Sequence, residues 1–130
     1  MKIERYSGEK EREILSAMVG NRLVLGRIAS KWTVRGLFMS PWANAVGKLC
    51  IDFYRKFGDC PGKGIESVIR TWAEKQHDQA TVELVEKFAS SLEYNGGDEL
   101  NHEHVLCVAG DYFNMVKLDR LIEEVQSHKE

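Results

Sequence analysis

Apolar residues recur at helical spacing along almost the whole chain, with a period of about 3.6 residues. Ile14, Leu15, Met18 and Val19 form a first inward face, and a short second helix carries Leu23, Val24 and Ile28. Ser7 is placed to cap the first helix, with Glu9 and Glu11 in its first turn, where carboxylates favour the helix dipole. Gly20-Asn21 separates the two helices. Residues 31–39 read as a connector anchored by Trp32, Leu37 and Phe38. Ser40-Pro41 then opens the clearest helix, with serine as N-cap and proline at the first helical position. Its apolar stripe is Ala43, Val46, Gly47, Cys50, Phe53, Tyr54 and Phe57, and its polar side is Asn44, Lys48, Asp52, Arg55 and Lys56. Gly58 suits the C-cap and Pro61 enforces the stop. Ile65, Val68, Ile69 and Trp72 mark a fourth helix. Val82, Val85, Phe88, Ala89 and Leu92 mark a fifth, from about residue 78 to 93. Residues 95–98 form a loop, and Asn101 caps the last helix, with Glu103 in its first turn.

That last helix changes sides halfway along. From residue 101 to 127 there is no proline and a single glycine, Gly110. Val105, Val108, Ala109, Tyr112, Met115 and Val116 share one face, at about 100° per residue, but Leu118, Leu121, Ile122 and Val125 fall on roughly the opposite one. After residue 116 the first face takes Asp119 and Glu123. One straight helix cannot bury both stripes in one core. Either the chain bends near residues 114–117, or the second stripe packs against a partner.

The pattern therefore predicts an all-α fold: a globular helical domain of about six helices with short connections and a long C-terminal helix. Residues 1–100 supply the core, and residues 101–130 complete it and extend to an assembly surface, within one domain overall. Trp32-Thr33-Val34 is the sole β-like trace. A chain of 130 residues, 43% apolar and 29% charged, suits one soluble globular domain. Its net charge of −2 offers no nucleic-acid footprint by charge alone. The longest apolar run falls far short of the roughly 18 residues of a membrane span, and Met1-Lys2-Ile3-Glu4-Arg5 is not a signal peptide. Cys50, Cys60 and Cys107 are odd in number and widely spaced, which fits free thiols in a reducing, cytoplasmic setting.

Little in the chain points to chemistry. The Gly58 to Gly64 segment has three residues before its Gly-Lys pair, where a phosphate loop has four, and Gly64 follows the lysine where that loop needs serine or threonine. It reads as an interhelix turn. His104 and Cys107 are spaced i, i+3, but zinc takes three or four protein ligands, so the pair reads as a polar first turn plus a core cysteine. No nucleophile–base signature stands out, so we expect no catalytic residues, cofactor or metal; a small enzyme using His104 or Cys107 is the least favoured reading. Arg55, Lys56 and Lys63 belong to a locally basic middle, ordinary solubilising charge that is at most a weak nucleic-acid contact. Trp32 and Trp42 read equally as loop anchors or exposed contacts.

The order of these parts resembles a known family. Glu11-Arg12-Glu13-Ile14-Leu15-Ser16-Ala17-Met18 is followed by Trp32 and Phe38. Next come the helix from Ser40 to Phe57, the Phe57-Gly58 to Pro61-Gly62 turn, and a long last helix containing Tyr112-Phe113. Over nearly the whole chain this resembles the N-terminal domain of DnaB-type replicative DNA helicases, especially divergent phage-encoded versions. The resemblance implies a non-catalytic domain of DNA replication that builds a collar on a hexamer, docks primase or loader proteins, and associates through a helical hairpin. It would hydrolyse nothing itself, because the ATPase motifs of that family lie in another domain. The chain stops at Glu130 without the second hairpin arm, which implies a fragment or a stand-alone relative. Leu118, Leu121, Ile122 and Val125 are then the expected partner surface, with self-association foremost, primase or loader docking next, and no membrane. The alternative is a stand-alone helical adaptor or regulator. A Gly-Lys-Ser/Thr loop downstream in the reading frame would favour the helicase.

Overall fold

The structure, a computed structural model, describes residues 8–92 and 101–128. Within them the chain forms six α-helices, a short 3-10 turn and no strand. These are α1 (Gly8–Gly20), α2 (Arg22–Ala29), α3 (Pro41–Phe57), the 3-10 turn (Gly62–Gly64), α4 (Ile65–Glu74), α5 (Gln79–Ser90) and α6 (His102–His128). The expected Ser7 cap and the loop at 95–98 lie outside the described residues.

Local chemistry sets the boundaries. Asn21 starts α2, its side-chain oxygen accepting from the backbone N–H of Leu23 (3.0 Å) and Val24 (3.1 Å). Asp78 does the same for α5 at Ala80 and Thr81, and Asn101 for α6 at His104. The bonds from Thr81 hold the Asp78 carboxyl below its usual range. Gly58 closes α3 with φ 72°, its N–H donating to the Tyr54 carbonyl at 2.7 Å. Ser40 departs from expectation: it stands at the N-cap of α3 but makes no side-chain capping bond. Its hydroxyl turns toward α1 instead.

The two central helices are α1 and α3. α6 lies along α1 and also touches α2, while α3 spans α1, α2, α4 and α5. The core is one continuous cluster that includes Ile14, Leu15, Met18, Val24, Leu25, Val46, Ile51, Val85 and Tyr112. The connector at 31–39 is part of it. Thr33 and Gly36 close a turn, and Gly36 sits at φ 78°, where a side chain would be strained and would collide with Asn44. The turn delivers Phe38 into the centre, fully buried against Trp32, Tyr112 and Phe113, with ring centroids 6.1, 5.9 and 5.3 Å away. Trp32 and Trp42 both pack half-buried on the core, so they act as anchors. On α3, Ile51 takes a fully buried place while Phe57, expected inward, is 61% exposed and stacks on Phe53 at 4.6 Å. Phe57 is the last residue of α3, beyond the helices that could cover it.

Candidate interaction surface

α6 runs without interruption from His102 to His128, through the positions where a bend was the alternative. Its two stripes meet different fates. Val105, Ala109, Tyr112 and Val116 are buried, and Val108 and Met115 half-buried. Leu118, Leu121, Ile122 and Val125 are between 45% and 56% exposed, and form an apolar seam at the far end of the helix.

Polar bonds aim that seam outward. One turn beyond Val116, Arg120 donates from Nη1 to the Gly36 carbonyl and from Nη2 to the Phe38 carbonyl, both at 2.9 Å. Farther on, Glu124 meets Arg35 at 3.4 Å. That second pair is exposed at both ends and contributes little, whereas the Arg120 fork grips a connector that the core already fixes. The inward face of α6 thus continues as a polar hold, and the aliphatic residues are left on the other side.

A buried polar junction locks the same helix at its middle. Glu11, read from the sequence as a first-turn acid that favours the helix dipole, is 1% exposed. Its carboxylate accepts from Tyr112 Oη at 2.7 Å, Ser40 Oγ at 2.7 Å and the Ser40 N–H at 3.1 Å. Tyr112 Oη in turn accepts from the Met39 N–H at 3.0 Å. Asn44 brackets Phe38, accepting from its N–H and donating to its carbonyl, both at 2.8 Å. One carboxylate therefore joins α1, the connector, the start of α3 and α6. The reason for its burial is spacing: Glu11 lies three and four residues before Ile14 and Leu15, on the inward face of α1. No buried side-chain nitrogen or oxygen among the described residues lacks a partner.

The three basic candidates have different neighbours. Arg55, Lys56 and Lys63 are all exposed. Arg55 reaches back to the Ala29 carbonyl at 3.4 Å, and Lys56 lies over the Phe57 ring at 5.3 Å. Lys63 borders a separate open cleft of about 750 Å³ between α1, α4 and α5. Val19, Ile65 and Ile69 line that cleft, and its charges are mixed, with Arg70 beside Lys63 but Glu66 and Glu86 also present. Such a rim makes no phosphate cradle.

His104 and Cys107 stand on the exposed side of α6, so Cys107 is a surface thiol and not the expected core residue. Among the described residues no three His, Cys, Asp or Glu side chains gather as a metal-holding group, and no helix is long and apolar enough to cross a membrane. All three cysteines are free. Cys50 is fully buried, and desolvation, followed by the influence of Cys60, pushes its thiol up to about 12. Half-buried Cys60 is also raised, by burial first and then by Asp59. Because the thiolate is the nucleophile, the native protein at pH 8 is expected to react with a disulfide reagent such as DTNB first at Cys107 and then at Cys60. Cys50 should react only after denaturation. Mass mapping of the modified thiols checks the order, and early labelling of Cys50 would contradict this packing.

No protein-family model matches the chain, and comparisons with curated proteins and with solved structures find no relative.

Proposed function

We propose that this chain is a non-catalytic assembly and partner-docking domain. The observation that supports it best is the apolar seam on a helix whose other face is committed to the core. Contiguous exposed aliphatic residues at i, i+3, i+4 and i+7 are the usual anchors of helix-mediated association. The finer reading is the N-terminal domain of a DnaB-type replicative helicase, which oligomerises and receives primase or loader proteins. It rests on the order of helices and on the residues that resemble that family. In that reading the ATPase belongs elsewhere in the protein, and Arg55, Lys56 and Lys63 contribute at most weak contact with DNA. A stand-alone helical adaptor is the alternative, and a stop codon after residue 130 in place of a downstream Gly-Lys-Ser/Thr loop would favour it.

Energetics set the expected strength. Half-exposed Leu, Ile and Val side chains gain on the order of 1 kcal/mol each on full burial. Association costs at least about 4 kcal/mol before any net affinity appears. The seam alone therefore gives a weak, concentration-dependent complex, and a single aspartate in it should abolish binding. Leu121→Asp and Ile122→Asp are each expected to leave the far-ultraviolet circular dichroism and the melting temperature nearly unchanged. Sedimentation velocity should show that self-association, or binding of purified primase or loader, is lost. If either change unfolds the domain, the seam is core and the proposal fails.

A further inference from the structure

We propose that the outer face of α2 binds an acidic peptide segment of another protein, anchored by one aliphatic side chain in the cleft between α2 and the start of α6. The seam takes no part in it. Charge points to this face first. Residues 22–63 hold eight Lys and Arg against two Asp, although the chain as a whole carries −2. Four of those cations already have a partner. Arg35 meets Glu124, Lys48 pairs with Asp52 at 3.1 Å, Arg55 reaches the Ala29 carbonyl, and Lys56 lies over the Phe57 ring. Lys63 stands apart, at the cleft between α1, α4 and α5. Arg22, Arg27 and Lys31 remain. All three are exposed, and none makes an ion pair or a side-chain hydrogen bond among the described residues.

Shape supplies the anchor. Leu23, Arg27 and Lys31 follow one another at four-residue steps, and Arg22 adjoins Leu23. Leu23 is 56% exposed and walls a cleft of about 340 Å³ together with Arg27, His102, Glu103 and Leu106. Its two leucines give it an aliphatic lining, with room for one Leu or Ile side chain. From Leu23 to Lys31 is about 12 Å along a helical path, the length of roughly four extended residues. A peptide whose apolar residue enters the cleft therefore sets its next few residues beside Arg27 and Lys31. Glu103, on the α6 wall, repels carboxylates there and favours that direction. Nucleic acid suits this face less well. Single strands are held by aromatic rings on which bases stack, and α2 has none. Trp32, just beyond it, is half-buried against Phe38. Glu103 would also oppose a phosphate chain crossing the cleft.

The probes are a fluorescein-labelled peptide, Leu-Asp-Glu-Asp-Glu, and its reverse sequence, titrated with the full chain at low salt and read by fluorescence anisotropy. Saturable binding by at least one is expected, with amide shifts in the NMR spectrum confined to residues 22–31 and 102–106. Arg27→Glu and Lys31→Glu should each weaken binding by about tenfold, since an attractive pair becomes repulsive. Arg70→Glu makes the same charge change on α4 and should weaken it by about twofold at most. Serine in place of the peptide's leucine should cost about tenfold with the wild-type chain, and clearly less with Leu23→Ser, because the cleft wall is then already lost. Absence of binding up to about 1 mM would overturn the proposal. So would equal losses from Arg70→Glu and Arg27→Glu, a leucine preference that survives Leu23→Ser, or amide shifts centred on other residues. Tighter binding of a thymidine strand of roughly twelve nucleotides than of either peptide would overturn it too, and make the face a nucleic-acid contact.

Discussion

Glu11→Ala is expected to lower the melting temperature by roughly 12–20 °C, at about 4 °C per kcal/mol for a domain of this size. The substitution deletes three hydrogen bonds at a group that is 1% exposed. It also removes, deep in the core, the carboxylate to which Tyr112 Oη donates. A buried donor left unmatched costs about 1–3 kcal/mol, and bonds to a charged group lie at the upper end. Ser40 is half-buried, and water can recover part of its loss. The sum is about 3–5 kcal/mol, a large share of the 5–15 kcal/mol typical of a whole domain. Tyr112→Phe should cost less, because Glu11 keeps both bonds from Ser40 and loses the one from Tyr112, while the Met39 N–H loses the hydroxyl it donates to. The two changes share one hydrogen bond, so the double variant should be destabilised by clearly less than the sum of the singles. Thermal unfolding of the three variants checks this. A melting point within a few degrees of wild type for Glu11→Ala would show that the junction does not hold these elements together.

Glu11 also marks where the sequence stopped being readable. Its position three and four residues before Ile14 and Leu15 placed it on the inward face, but it also sits in a first turn where acids are common. Nothing nearby in the sequence names its partners, which lie 29 and 101 residues away. The same limit applies to Ser40. Ser-Pro is a capping signature, and the start of α3 falls where that signature puts it, yet the hydroxyl is claimed by a carboxylate from another helix. Arg120 was likewise invisible as a hold on the connector, because its acceptors are backbone carbonyls at Gly36 and Phe38.

Periodicity, by contrast, was enough for the elements themselves. Helices are held by local bonds, and an apolar stripe says which face turns inward. So the all-α architecture, the stops at Gly20 and Gly58, and the two faces of α6 could be read directly. The exposure of Leu118, Leu121, Ile122 and Val125 followed from the same rule, applied to a helix too long to have one inward side. Periodicity fails at ends. Phe57 keeps the spacing of its stripe but lies past the last neighbour of α3, and Cys107 lies between positions that face inward and is itself turned out.

Phe38→Ala is expected to destabilise the domain by about 3–5 kcal/mol, whereas Phe57→Ala should stay within about 1 kcal/mol. The sequence reads Phe38 as an anchor of the connector and Phe57 as part of the apolar stripe of α3, and the structure separates them. Phe57 is 61% exposed, so truncating it removes little buried area. Phe38 is fully buried at the meeting point of three aromatic rings, and its loss opens a cavity among Trp32, Tyr112 and Phe113. How much a cavity costs depends on how far its walls can close. Here the walls cannot close far, because the Phe38 backbone is fixed on both sides by Asn44 and from above by Arg120. The polar grip that turns the seam outward therefore also keeps the void open and pushes the penalty toward its upper end. In urea, the midpoint of Phe38→Ala should fall sharply with the slope unchanged, since the surface exposed on unfolding is nearly the same. Removing the grip as well, in Phe38→Ala with Arg120→Ala, should cost less than the two losses added, because the freed connector can then settle into the space. Strict additivity would show that Arg120 does not restrain it.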